Sequence, residues 1–315
     1  MTKICIIGAG STVFTKNIVT DLLLTKEFKE IEIALMDIDP KRLQLTNEVI
    51  SLIANKFDLS PRISTHLDRK EALQGADFVQ TTFQVGGYDP STIIDFEIPK
   101  KYGLDQTIGD TIGIGGIMRG LRTIPVLNSI AKDMLDICPE ALLLQYVNPM
   151  CMNMIALSRQ FPELRSVGLC HSVQGTAKML AKDLEIDLED LDFDCAGINH
   201  MAFFTRLEKK LTNGERKDLY PSLKIFAKKV LDNSELSSRS KSIAWESDKV
   251  LYEKVRYEIL NRFGYFVTES SEHFAEYVPW FLKINNKKII SEYQIPIDEY
   301  IHRCKSYKLK WKNFN

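Results

Sequence analysis

The 315-residue sequence predicts an α/β protein: a Rossmann-like, doubly wound parallel sheet followed by a second, mixed α+β domain. Two observations predict the sheet. Short β-branched runs alternate with helix-length segments over the first 190 residues, the pattern of βαβ units covered on both faces. The first of those runs ends in glycine and leads straight into a helix. The second domain is predicted where this alternation fades, near residue 190. There "FFTRLEKKL", a charged polar stretch through residues 207–250, and "GYFVTESSEHFAEYVPWF" take over. The expected division is 1–190 and 191–315.

Each element has its own signal. "KICIIGAG" is a buried strand closed by glycine. "FTKNIVTDLLL" follows with helical spacing of Phe14, Ile18, Leu22 and Leu23. "IEIALMDID" reads as a second strand, and "PKRLQLTNEVISLIANKF" as a helix with proline at its first position. "ADFVQTTF", "ALLLQYV" and "SVGLC" are further strands; "IMRGLRTIPVLNSIAKDML" and "GTAKMLAKDL" are helices.

Composition narrows the function classes. With 44% hydrophobic and 26% charged residues, the chain reads as a soluble globular protein. Lys and Arg number 41 against 42 for Asp and Glu, a balance that gives no support for a nucleic-acid or acidic-membrane surface. Neither a signal peptide nor a bilayer-length apolar run is visible, so a cytoplasmic protein is expected. The six scattered cysteines are then reduced thiols, most of them small buried hydrophobes.

The turn "GAGS" is the first candidate site. Gly8 and Gly10, with Ser11 beside them, supply the tight turn and close approach that a pyrophosphate needs at a helix N-terminus. Val13 occupies the third glycine position, so the fingerprint is partial. Asp37 ends the second strand where an acid would hold the ribose hydroxyls, which favours NAD over NADP. The expectation is a Rossmann-like domain.

The second candidate is a thiol and an imidazole. Cys170 closes the strand "SVGLC", at the sheet edge where such folds bind ligands. His200 follows thirty residues later in "AGINHMAFF". One thiolate and one imidazole suit an open divalent-metal site. A lone histidine in apolar sequence also serves as a hydrogen-bonded core group, so spacing alone leaves both readings open.

The segments "GAGST", "MDID", "FQVGGYDP", "GGIMRGLRTIP", "YVNPM", "VGLCHSVQG", "GINHMAF" and "YFVTESSEHFAEYVPW" occur in one order, from residue 3 to about residue 303. Together they resemble glycoside hydrolase family 4, and within it the α-galactosidases. The resemblance implies an NAD- and divalent-metal-dependent hydrolysis. NAD⁺ takes hydride from the sugar C3, a base removes the C2 proton, and the glycosidic oxygen is eliminated from C1 with proton assistance. Water then adds back and NADH returns the hydride. By the same resemblance Gly8, Gly10 and Asp37 match the NAD site, and Cys170 and His200 match the ligands of the metal, usually manganese. Asn148 matches a sugar contact near the nicotinamide, His171 the proton donor, and Asp110 an acid that tunes the base. The base itself falls in "ESSEHFAEY", with Glu272 and His273 as candidates and Tyr277 behind them. A reading in which His273 and Glu276 only line a helix face stays open.

Members acting on 6-phosphosugars carry an arginine shortly after "VGG". Here the next residues are "YDPSTIIDFEIP", with no Lys or Arg before Lys100, which predicts an unphosphorylated α-galactoside substrate. α-Glucoside and α-galacturonide specificity remain alternatives. Two departures stand out: Ile114 where relatives have proline, and an end at "RCKSYKLKWKNFN" that is basic and off the family pattern. By the resemblance, the latter predicts a truncated product in which 191–315 is a partial, incomplete substrate and metal domain, with apolar surface uncovered and the family's homo-oligomer not assured. An inactive NAD-binding remnant is therefore one rival reading. A 2-hydroxyacid dehydrogenase using Arg119 or Arg122 is another, although it gives the Cys–His pair no role.

Overall fold

The computed structural model describes residues 1–28, 30–233, 242–243, 250–251, 253–282 and 286–312. Parts of the charged 207–250 stretch and of the basic C-terminus lie outside them. In chain order the elements are β1 (Thr2–Ile7), α1 (Thr12–Leu24), β2 (Ile31–Met36), α2 (Pro40–Lys56), β3 (Arg62–His66), α3 (Arg69–Leu73) and β4 (Phe78–Thr81). Next come α4 (Ile93–Lys101), α5 (Gly113–Ile137), β5 (Leu142–Gln145), α6 (Met150–Gln160), β6 (Ser166–Gly168) and α7 (Ser172–Asp183). The antiparallel strands β7 (Leu191–Ile198), β8 (Met201–Lys210) and β9 (Arg216–Asp218) precede α8 (Tyr220–Asp232). A short ribbon, β10 (Ser242–Ile243) and β11 (Val250–Leu251), leads to α9 (Lys254–Phe263), β12 (Phe266–Val267), α10 (Ser271–Tyr277), α11 (Lys287–Glu292) and α12 (Glu299–Lys312). No helix among the described residues is long and apolar enough to cross a membrane.

Two compact units emerge. The first comprises Met1–Val85 and Gly120–Leu169, the second Gly86–Arg119 and Cys170–Asn315. Neither is a continuous stretch of chain, since residues 86–119 group with the later half. The expected boundary at 190 is a division of the sequence; the packing divides inside α5 and just after β6.

The first unit bears out the doubly wound sheet. Its six strands run parallel in the order β3-β2-β1-β4-β5-β6. This is the order in which two βαβ halves meet between β1 and β4. Strand alternation fills both faces: Ile4 and Ile6 join a cluster with Val19, Leu43 and Ile50, whereas Cys5 and Ile7 join one with Leu127, Ile130 and Leu157. Asp39 caps α2 by accepting from the N–H groups of Lys41 and Arg42. Of the cysteines expected to be mostly buried, only Cys5 and Cys138 are; Cys151, Cys170 and Cys304 are half-buried, and Cys195, on β7, is exposed.

In the second unit β7, β8 and β12 form an antiparallel sheet in the order β12-β8-β7, with β9 added to β8. The chain after the parallel sheet is thus a mixed α+β region. Phe204, Leu207 and Phe266 pack there with Leu180, Leu223 and Tyr257. Arg256, 3% exposed, ties the end of β12 in place: its guanidinium donates to Val267 O (2.9 Å) and Thr176 Oγ1 (2.5 Å) and stacks over Phe266.

Candidate active site and metal centre

The β7–β8 hairpin turns through Asn199 and His200, and His200 takes a left-handed backbone (φ 64°) to do so. A non-glycine residue is uncommon in that region. Register then brings partners to it. Phe203 pairs with Val267, and Thr268 N donates to Ala202 O, which sets Glu269 beside the turn. From the other side comes Cys170, two residues past β6. Cys170 Sγ lies 3.3 Å from His200 Nε2, and Glu269 Oε2 lies 3.1 Å from the same nitrogen.

The opposite ring nitrogen is committed. Thr111 Oγ1 donates to Asp110 Oδ1 at 2.6 Å and sits 2.9 Å from His200 Nδ1. A hydroxyl has one proton, and an ionised carboxylate only accepts. Thr111 therefore accepts from Nδ1–H, which leaves Nε2 as the metal-facing nitrogen. Carboxylate, hydroxyl and imidazole in series orient the ring as outer partners orient a metal-binding histidine.

Charge is set by this wiring. Burial would raise the Cys170 thiol, but the His200 hydrogen bond and charge outweigh it and hold the thiol below its ordinary value. Burial works against a charged His200, yet the Cys170 hydrogen bond and the carboxylates of Glu269 and Asp110 lift it to about 9. Burial opposes ionisation of Asp110, and His200, His273 and Arg119 together still lower its carboxyl.

His273, on α10, stands next to this group. Its ring centre is 4.8 Å from that of His200, and its Nδ1 is 2.7 Å from Ser270 Oγ. Burial lowers its pKa, so it is a neutral imidazole able to take a proton. The other base candidates are placed differently. Glu272 is 2% exposed and its Oε1 accepts from Arg303 at 3.0 Å, an ion pair that also engages Glu299. Burial raises the Tyr277 phenol well above its ordinary range, with Asp110 and Glu276 adding to the effect. Glu276 does more than line a helix: its carboxylate accepts from the backbone N–H groups of Thr107, Ile108 and Gly109 at 2.8–3.1 Å, pinning the loop that presents Asp110. His171 is exposed at the N-cap of α7, adjoining Cys170 in the chain.

Thr111, Glu269 and Glu276 were not singled out by sequence reasoning as functional. Thr111 hid inside "GDT" and the two glutamates inside "ESSEHFAEY". Carboxylates spaced three or four apart on either side of a histidine were the available signal.

A thiol, an imidazole and a carboxylate within 4.8 Å of one another fit a divalent cation; Cys170 and His200 would hold it, with Glu269 alongside. A second group, Asp110, His200 and His273, meets the same distance.

The first unit carries the glycine turn. Gly8 has φ 90°, and a Cβ there would lie 2.6 Å from Thr82 O. A Cβ on Gly10 would lie 2.7 Å from Asp37 Oδ2, which instead accepts the Gly10 N–H at 2.7 Å. Both glycines are thus required by the turn's own packing. That packing sets the Asp37 carboxylate against the turn. Ser11 makes no side-chain cap on α1, so its hydroxyl does not take up the first N–H groups of the helix. The arrangement fits a dinucleotide, with Asp37 for the ribose and the helix start for the pyrophosphate. Asn148 lies in this unit, half-buried between β5 and α6.

Comparisons with known proteins agree with one another. Residues 3–186 match the sequence profile described as Family 4 glycosyl hydrolase, and residues 195–314 that of the Family 4 glycosyl hydrolase C-terminal domain. An α-galactosidase of Bacillus subtilis (strain 168) is 48% identical over 313 residues, covering 99% of this chain and 67% of its own length. The crystal structure of lplD from Bacillus subtilis superposes with a TM-score of 0.82 at 25% identity, over 99% of this chain and 70% of that one. A 6-phospho-α-glucosidase from gut microorganisms, crystallised with NAD and glucose-6-phosphate, gives 0.73 at 25% identity, over 92% and 62%. The chain spans about two thirds of the length of these relatives.

Proposed function

This chain belongs to glycosyl hydrolase family 4, and from that premise we propose that it cleaves unphosphorylated α-galactosides by oxidation at C3, deprotonation at C2 and elimination of the aglycone. The observation that carries this reading is the meeting of Cys170 and His200, thirty residues apart in sequence and 3.3 Å apart in space. Two-carboxylate glycosidases have no use for such a pair. When bound, NAD supplies a hydride acceptor and the divalent cation, manganese by family resemblance, supplies Lewis acidity.

The chain's own residues do the rest. Asp37 and the turn at Gly8, Gly10 and Ser11 bind and orient the dinucleotide. Cys170 and His200 hold the cation, and the Asp110–Thr111 pair keeps Nε2 aimed at it. His273, neutral and beside His200, takes the proton from C2. His171, exposed at the start of α7, gives a proton to the departing oxygen. Asn148 contacts the sugar. A galactoside is favoured by the 48% identity to an α-galactosidase, and an unphosphorylated one by the absence of cationic residues between Gly87 and Lys100.

The test is release of nitrophenol from p-nitrophenyl α-galactoside by the purified chain with NAD⁺, Mn²⁺ and a thiol reductant, each omitted in turn. Hydrolysis that requires all three is expected. Hydrolysis indifferent to NAD⁺ contradicts the mechanism, and NAD⁺ binding without any hydrolysis contradicts the activity.

A further inference from the structure

Cys170 and His200 do not account for a third atom at the same point. Glu269 Oε2 lies 3.1 Å from His200 Nε2, the nitrogen that also faces Cys170 Sγ at 3.3 Å. One imidazole nitrogen carries one proton or one lone pair, so it satisfies a single in-line partner. With Nδ1–H given to Thr111, Nε2 faces a sulfur and a carboxylate oxygen at once; a proton on Nε2 serves only one of them, whereas a cation in its place is shared by all three. Three donor atoms of metal-ligand type within 4.8 Å of one another suit a shared cation. With bond lengths of the kind zinc makes, donors at roughly 90–110° about one ion stand roughly 3.1–3.6 Å apart for S···N and roughly 2.9–3.4 Å for N···O. The observed separations fall inside both ranges.

Glu269 is also held in place. Thr176 Oγ1 donates to Thr268 O at 2.6 Å, and Arg256 donates to Val267 O at 2.9 Å, so the backbone on its N-terminal side is fixed. Its Oε1 accepts the Ser270 N–H at 2.9 Å, which turns Oε2 toward His200. With its side chain 11% exposed, Glu269 is not an ordinary solvated surface carboxylate.

We propose that Glu269 is a third protein ligand, closing with Cys170 and His200 a three-donor site for a divalent first-row cation. This rests on the reading of Cys170 and His200 as metal ligands and adds a hard oxygen donor to it. A thiolate and a carboxylate together balance the charge of a dication, so the cation binds before any sugar arrives. Three protein donors still leave coordination open to substrate.

The test is a Co²⁺ titration of the metal-free full chain under thiol reductant, without sugar. The thiolate-to-cobalt absorption band reports Cys170, and the d–d bands report the whole donor set. Glu269→Gln is expected to weaken Co²⁺ binding by about 100-fold or more, the upper end of what losing an outer hydrogen-bond partner costs. At saturating Co²⁺ its thiolate band persists and its d–d bands change. A Gln variant that binds within about threefold of the parent with unchanged d–d bands overturns the proposal. If Cys170→Ser and His200→Ala then still abolish binding, the two-ligand site stands without Glu269. If they too bind like the parent, the metal reading itself falls. Should the Gln variant not fold, Glu269→Asp carries the test. A carboxylate shortened by one methylene must displace the d–d bands, and unchanged bands overturn the proposal.

Discussion

His200 serves two directions through its two nitrogens, and the strained turn that carries it exists to present both. Thr111→Val removes the acceptor for Nδ1–H while nearly keeping side-chain volume, so the ring loses its fixed tautomer. Divalent-cation affinity is expected to fall roughly 10–100-fold, read by Co²⁺ titration. His171 makes a different prediction. If it protonates the departing oxygen, His171→Asn should slow hydrolysis of a disaccharide such as melibiose by roughly 10²–10⁴-fold. Cleavage of p-nitrophenyl α-galactoside, whose leaving group needs no proton, should fall by less than about tenfold in the same variant. Equal losses on both substrates would remove His171 from that role. Cys170 and His200 were legible because thiol and imidazole are rare and their family setting is distinctive. Thr111 and Glu269 were not, because a threonine and a glutamate are common. What singles them out is the β8–β12 register and a hydroxyl with one proton to give.

At the scale of elements, α10 and the 106–111 loop act as one part. Glu276 joins them through three backbone N–H groups, and Thr107 Oγ1 donates to Glu272 O at 2.7 Å. Glu276→Ala strands those donors, and a loss of roughly 1–3 kcal/mol in unfolding free energy is expected. The loss should depend on pH. Burial pushes the Glu276 carboxyl from 4.5 up to about 7, against the three N–H groups that favour its ionised form. Between those values the folded chain keeps a proton that the unfolded chain has released, so stability falls as pH rises through the window. The difference between parent and Glu276→Ala in urea unfolding should therefore narrow from about pH 5 to about pH 7.5. A difference that widens would contradict the assignment. The strands β1, β2, β4 and β5 were legible as apolar runs, and their helices by period. β3 was missed: "RISTH" comes after Pro61 at the sheet edge, mostly polar and half-exposed. β7 and β8 were missed as a hairpin because the turn uses Asn-His where glycine would have announced it.

For the whole molecule, the discontinuity of the two units explains why a boundary at residue 190 was the natural reading. Composition changes there, but residues 86–119 pack with the later chain and bring Asp110 and Thr111 with them. Sequence order hides that excursion. In the proposed chemistry a redox-assisted elimination, rather than a pair of carboxylates, breaks the glycosidic bond. Hydrolysis of an α-galactoside in D₂O, with the released sugar read by proton NMR, tests this most directly. Removal of the C2 proton and its return from solvent predict galactose carrying deuterium at C2. Galactose released with its C2 proton intact would exclude elimination through C2.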